Sequence, residues 1–95
     1  MSTIEQRVQA GVAWLTEKDA EWWKKIDPKK LNLLDRRLCI LGQLYGCYFD
    51  ARDKFNLSEE EVRGLGFYNE DRKEYEYLAK EWRTVLKNLQ ESQSL

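Results

Sequence analysis

Ninety-five residues allow one domain with a modest core. Sixteen basic residues against seventeen acidic ones give a net charge of −1, which excludes a strongly basic nucleic-acid coat and a strongly acidic DNA mimic. Histidine is absent, which removes Ser–His and Cys–His catalysis, the HExxH zinc site and any imidazole pH switch.

The chain has no apolar run of the roughly eighteen residues needed to span a membrane. Its start, Met1-Ser2-Thr3-Ile4-Glu5, lacks the basic and apolar regions of a signal peptide, so a reducing cytoplasm is expected. One proline and five glycines leave few sites for the sharp turns of a small β-domain, and the strong hydrophobic periods are helical.

The first helix is expected over residues 4–18. Ser2 or Thr3 caps it, with Glu5 or Gln6 closing a capping box. Ile4, Val8, Gly11, Val12 and Leu15 form its apolar stripe. Gly11 costs a helix about 1 kcal/mol relative to alanine, so a neighbour's backbone is expected to approach closely there. A short helical turn over 20–26 follows, and Pro28 ends it by disfavouring helical geometry at Asp27. In the connector, alternation turns Leu31 and Leu33 inward.

Asp35 reads as the N-cap of a central helix over 36–54, with Leu34 and Cys39 in the positions of a hydrophobic staple. Leu38, Ile40, Leu41, Leu44, Tyr45, Cys47, Tyr48 and Phe49 cover an arc of roughly 200°, twice that of an ordinary surface helix. This predicts a hub with other helices wrapped around it. Gly42 and Gly46 mark a side where a second helix backbone could approach. Cys39 and Cys47, eight residues apart on one helix, would stand ~12 Å apart. That is too far for a disulfide and predicts packed thiols. Gln43 is the polar outlier, either exposed on the polar strip or buried and fully hydrogen-bonded.

Ser58-Glu59-Glu60-Glu61 is a second capping box, opening a short helix over 59–65 with Val62 and Leu65 inward. The last helix is expected over 70–90. Its stripe is Tyr75, Leu78, Ala79, Trp82, Val85, Leu86 and Leu89, and residues 91–95 are expected to fray. The fold class is therefore all-α: a compact bundle of four or five helices around a central hydrophobic helix.

No catalytic, metal-binding or cofactor motif is present. The Gly64-Leu65-Gly66 run follows a helix, so a dinucleotide reading fails on context, and the carboxylates read as solvated charges. Two other features stand out. Twelve aromatic residues exceed what a core this small would bury. From Trp22 to Arg37, six basic residues face two acidic ones, and from Asp50 to Glu61 two basic face five acidic. Such polarity steers partners. Trp22, Trp23, Lys24, Lys25, Lys29, Lys30, Arg36 and Arg37 are the candidate contact surface. Tyr77, opposite the stripe of its helix, is a further exposed anchor.

Gly11-Val12-Ala13-Trp14-Leu15, Ile26-Asp27, Leu31-Asn32-Leu33, Cys39-Ile40-Leu41-Gly42-Gln43-Leu44-Tyr45-Gly46, Gly66-Phe67 and Trp82 together resemble a group of small proteins of actinobacterial phages and their hosts. The resemblance covers residues 8–87, with the segment from Cys39 to Gly46 its most specific part, and the chain departs from the pattern at Asp35-Arg36-Arg37. The resemblance implies a phage or prophage origin and carries no established activity. The leading expectation is a non-enzymatic protein, monomer or homodimer, that binds and modulates a host protein in the host cytoplasm. The alternatives are a sponge for a nucleotide-like phosphate ligand and a weak nucleic-acid-binding protein.

Overall fold

The computed structural model describes residues 3–92, in which every regular element is helical. Five α-helices and one 3₁₀ turn follow one another: α1 (Ile4–Lys18), the 3₁₀ turn (Trp22–Lys25), α2 (Ile40–Tyr45), α3 (Tyr48–Phe55), α4 (Glu59–Gly64) and α5 (Arg72–Ser92). Thr3 caps α1 through a reciprocal capping box with Gln6, and Ser58 caps α4 in the same way with Glu61. Ser2, the other candidate cap, lies outside the described residues. The last helix runs on through Ser92 instead of fraying from Glu91, and residues 93–95 also lie outside the description.

The core is built on α1 and α5. Val8 and Leu15 from α1 meet Leu78, Trp82 and Leu86 from α5, all fully buried. α1 lies against both α5 and α4, and the 3₁₀ turn bridges α5 and α2. The Trp82 indole is the junction. Its Nε1 donates to the Gly66 carbonyl at 2.7 Å, its ring stacks on Phe67, and the edge of Trp22 meets it at 6.1 Å. The ring and the Leu65 carbonyl occupy the space that a side chain at position 11 would need. The close approach expected at Gly11 is thus observed. Gly66 adopts φ 75°, a conformation that brings its carbonyl to the indole and that a side chain would strain. Arg7 joins the same region. Its guanidinium donates to the carbonyls of Arg63 and Tyr68, answering the negative end of α4.

The central helix departs from expectation. Residues 35–39 form turns, α2 begins only at Ile40, and the chain breaks at Gly46 before α3 starts at Tyr48. Asp35 still caps, but it caps a turn: its carboxylate accepts from the N–H groups of Arg37 and Leu38. The N-cap of α2 is Cys39, whose sulfur accepts from the Gly42 N–H. Gly46 takes φ 91°, which ends the helix, and extended Cys47 starts the next one. Gly42 is approached closely, but by the chain's own Arg36–Arg37 backbone and not by a second helix. Both cysteines are free. The broken segment is not an enclosed hub. Ile40 and Leu41 are buried, whereas Leu44, Tyr45, Cys47 and Tyr48 are half-buried and Phe49 is 55% exposed. Leu34 makes no buried staple either, at 57% exposed.

Gln43 ties this segment to the connector. Its side-chain oxygen accepts from the Asp27 N–H, and its Nε2 donates to the carbonyls of Asp27 and Leu38. Gln43 is therefore hydrogen-bonded as the second reading held, but half-buried and not fully enclosed. Leu31 and Leu33 point inward as alternation predicted.

Two glycine substitutions separate packing from helix propensity. Gly11→Ala collides with Trp82 and the Leu65 carbonyl. It is expected to lower the free energy of unfolding by about 1–3 kcal/mol despite alanine's helix preference. Gly64→Ala meets open space with ordinary helical backbone and should raise stability by up to about 1 kcal/mol. Urea denaturation of both variants checks the opposite signs.

Candidate functional site

The structure disperses the predicted contact surface. Trp22 is 1% exposed, and its Nε1 donates to the Thr16 hydroxyl. It is a core residue and leaves the candidate site. Trp23 is half-buried, with its carbonyl bonded by Gln90 and Lys24 standing 5.4 Å above its ring. Lys24 also pairs with Glu21, and Lys25 pairs with Asp19 at 2.6 Å. Each ammonium of this pair of lysines is thus met by a carboxylate nearby. Lys29, Lys30, Arg36 and Arg37 are exposed. Lys29 and Arg36 do not line the same depression: Lys29 borders an open cleft with Arg83 and Lys87 on α5, while Arg36 borders a different one. Tyr77 is 66% exposed as expected, apart from both.

The depression at Arg36 is the stronger candidate. It holds about 330 Å³ between the connector, the start of α3 and the loop leading into α5. Leu33 and Leu34 supply one wall, Tyr48 and Phe49 a second, and Phe67, Tyr68 and Tyr75 the remainder. Phe49 meets Tyr48 edge-to-face at 5.3 Å, and Tyr68 meets Tyr75 at 6.4 Å. Among the described residues no carboxylate lines the groove, and Arg36 is its one charged group. Among the described residues three large hydrophobic side chains stand out as exposed, Leu34, Phe49 and Tyr77, and two of them border this groove. The sequence pattern placed Phe49 inside because the helical wheel was continued across Gly46, and Leu34 inside as half of a staple around Asp35, which caps a turn and no helix. A wheel restarted at Tyr48 puts Tyr48, Ala51 and Phe55 on the inner face and leaves Phe49 outside, which is the observed burial.

Tyr48 gives the groove an unusual polar group. Its hydroxyl is buried and has no hydrogen-bond partner among the described residues. Burial pushes the phenol up to about 12, with the nearby Arg52 guanidinium working in the opposite direction. Cys39, also facing the groove, has its thiol raised by burial and serves as a cap rather than a nucleophile. Among the described residues no group of three or more cysteine and carboxylate side chains is placed to hold a metal ion.

The Tyr48 shift has a testable sign. In the unfolded chain the phenol ionises near pH 10, whereas in the folded chain it stays neutral until about 12. Between these values the unfolded state has released a proton that the folded state still holds, so stability falls as pH rises. Tyr48→Phe should be at least as stable as the parent at pH 7, because it removes a buried hydroxyl without a partner. Its stability should also fall less steeply from pH 10 to 12 in denaturant titrations at fixed pH. Comparison of the chain with family models, with curated proteins and with solved structures finds no match.

Proposed function

We propose that this protein is a non-enzymatic interaction module that docks a partner protein in the aromatic groove between Leu34 and Phe49. The observation that carries the reading is the clustering of two exposed large hydrophobic side chains on one aromatic depression. Full burial of a leucine or phenylalanine side chain contributes about 1.5–3 kcal/mol, and aromatic and arginine side chains are the usual anchors of protein interfaces. The partner segment this groove fits presents an apolar side chain to the rings and a carboxylate to Arg36. The resemblance to small phage proteins makes a host protein in the host cytoplasm the class of partner, and inhibition or redirection of that protein the consequence of binding.

The lack of histidine supports a binding role over an enzymatic one. No helix among the described residues is long and apolar enough to cross a membrane. The variant L34E/F49E places two charges on already exposed positions, so its thermal midpoint should match the parent's. In affinity purification from the host, followed by reconstitution from the two purified proteins, the parent chain should retain one partner stoichiometrically and L34E/F49E should bind it at least tenfold more weakly. W23A/K24E should retain the partner like the parent. Equal retention by L34E/F49E, or assembly of the parent into a dimer that this variant dissolves with no partner captured, would replace this reading.

A further inference from the structure

A second concave site lies where α1, the 3₁₀ turn and α3 end side by side. Lys18 closes α1, Lys25 closes the 3₁₀ turn and Lys54 sits in the last turn of α3. All three border one cleft of about 350 Å³ whose wall includes Tyr45 and Phe55. Each lysine at a helix C-terminus has an ordinary explanation in the helix dipole. That explanation accounts for them singly. It does not account for two of them being drawn to one ring. Lys18 Nζ stands 5.8 Å and Lys54 Nζ 5.5 Å from the Phe55 centroid, and each also lies over a second ring, Trp14 and Tyr45 respectively.

The charge balance of the cleft is one-sided. Among the described residues Asp19 is its one carboxylate, and Lys25 already neutralises it, holding that carboxyl below its usual range. Neither Lys18 nor Lys54 forms an ion pair among the described residues. Two like charges held toward one ring, with no counter-charge between them, raise the local potential for an anion. Tyr45 and Phe55 beside them, half-buried and set edge-to-face at 5.1 Å, form an aromatic corner that gives a planar ring an apolar wall. The volume is near the lower end of the roughly 300–1,000 Å³ of small-molecule sites, which fits one nucleotide and no strand of nucleic acid.

From this convergence we infer that the cleft binds a small phosphate ester carrying a planar ring, of the nucleoside monophosphate class. The phosphate lies between Lys18 and Lys54, and the ring lies against Tyr45 and Phe55. The inference is independent of the groove at Leu34 and Phe49, since the two sites share no lining residue.

Isothermal titration with adenosine 5′-monophosphate, inorganic phosphate and adenosine tests it. The monophosphate should saturate one site per chain, inorganic phosphate should bind at least tenfold more weakly, and adenosine should give no measurable heat. K18Q/K54Q removes both ammoniums from exposed positions; it should lower the thermal midpoint slightly, since their ring and helix-end contacts go with them, leave the chain folded by circular dichroism, and lose at least tenfold in affinity for the monophosphate. Rising salt should weaken the parent's binding, and L34E/F49E should bind like the parent. The inference fails if the monophosphate produces no heat at millimolar concentration, if K18Q/K54Q binds it unchanged, if inorganic phosphate binds equally well, or if an aspartate-rich peptide competes with it at equal affinity.

Discussion

The architecture depends on one indole. Trp82 is fully buried in the middle of α5, and three separate parts of the chain are shaped around it: Gly11 on α1, the Leu65–Gly66–Phe67 segment and Trp22. A tryptophan buried this deeply needs a partner for its N–H, and the Gly66 carbonyl provides it only because Gly66 adopts a positive φ. The ring needs room, and a residue without a side chain at position 11 gives it that room. Edge-to-face and stacked contacts to Trp22 and Phe67 then fix the 3₁₀ turn and the start of the following loop relative to α5. Arg7 reinforces the same junction from α1 by bonding the carbonyls of Arg63 and Tyr68.

Once α1 and α5 close over this ring, the middle of the chain is released from the role of core. Residues 35–55 need to bury only one side, through Cys39, Ile40, Leu41 and Ala51. The break at Gly46 separates two short helices, neither of which needs apolar residues all round. The surplus apolar side chains of this segment come to the surface, Phe49 among them. Gln43 compensates for the irregular path: one side chain meets three backbone groups of the connector and the turn that precedes α2. Buried or half-buried backbone without a helix or sheet must find partners elsewhere, and here an amide side chain takes that part.

Where local rules act alone, the sequence was legible. The span of α1, both capping boxes, the inward turn of Leu31 and Leu33, and the apolar stripe of α5 follow from periodicity and end signals within one element. The close approach at Gly11 was also readable, because a glycine inside an apolar stripe has few other reasons to be there. The central helix was not, because the apolar pattern continues unbroken through Gly46 while the backbone does not. A glycine in a helical wheel marks packing or termination, and only the φ of 91° decides between them. The predicted contact surface rested on a different signal, proximity along the chain taken as proximity in space. Trp22 and Trp23 are neighbours in sequence, yet one lies in the core and the other lies half-buried beneath Lys24.

The redistribution of charge follows from that geometry. The basic run from Lys24 to Arg37 winds over a 3₁₀ turn and an irregular connector, so Lys29 and Arg36 line different depressions and two of its members, Lys24 and Lys25, find local counter-charges. Lysines from distant parts of the chain converge instead. Lys18 and Lys54 are separated by two elements and the connector, yet both reach Phe55, because Trp14 and Tyr45 each meet that ring edge-on and bring α1 and α2 to it. An aromatic cluster at the ends of three elements thus does what a run of basic residues does not: it fixes the directions in which ammoniums point. Charge that is aimed by packing discriminates between ligands, whereas charge that is merely abundant on a mobile side chain is screened within about a Debye length. On this reasoning the binding properties of the protein reside in its rings, with the cations as their dependents.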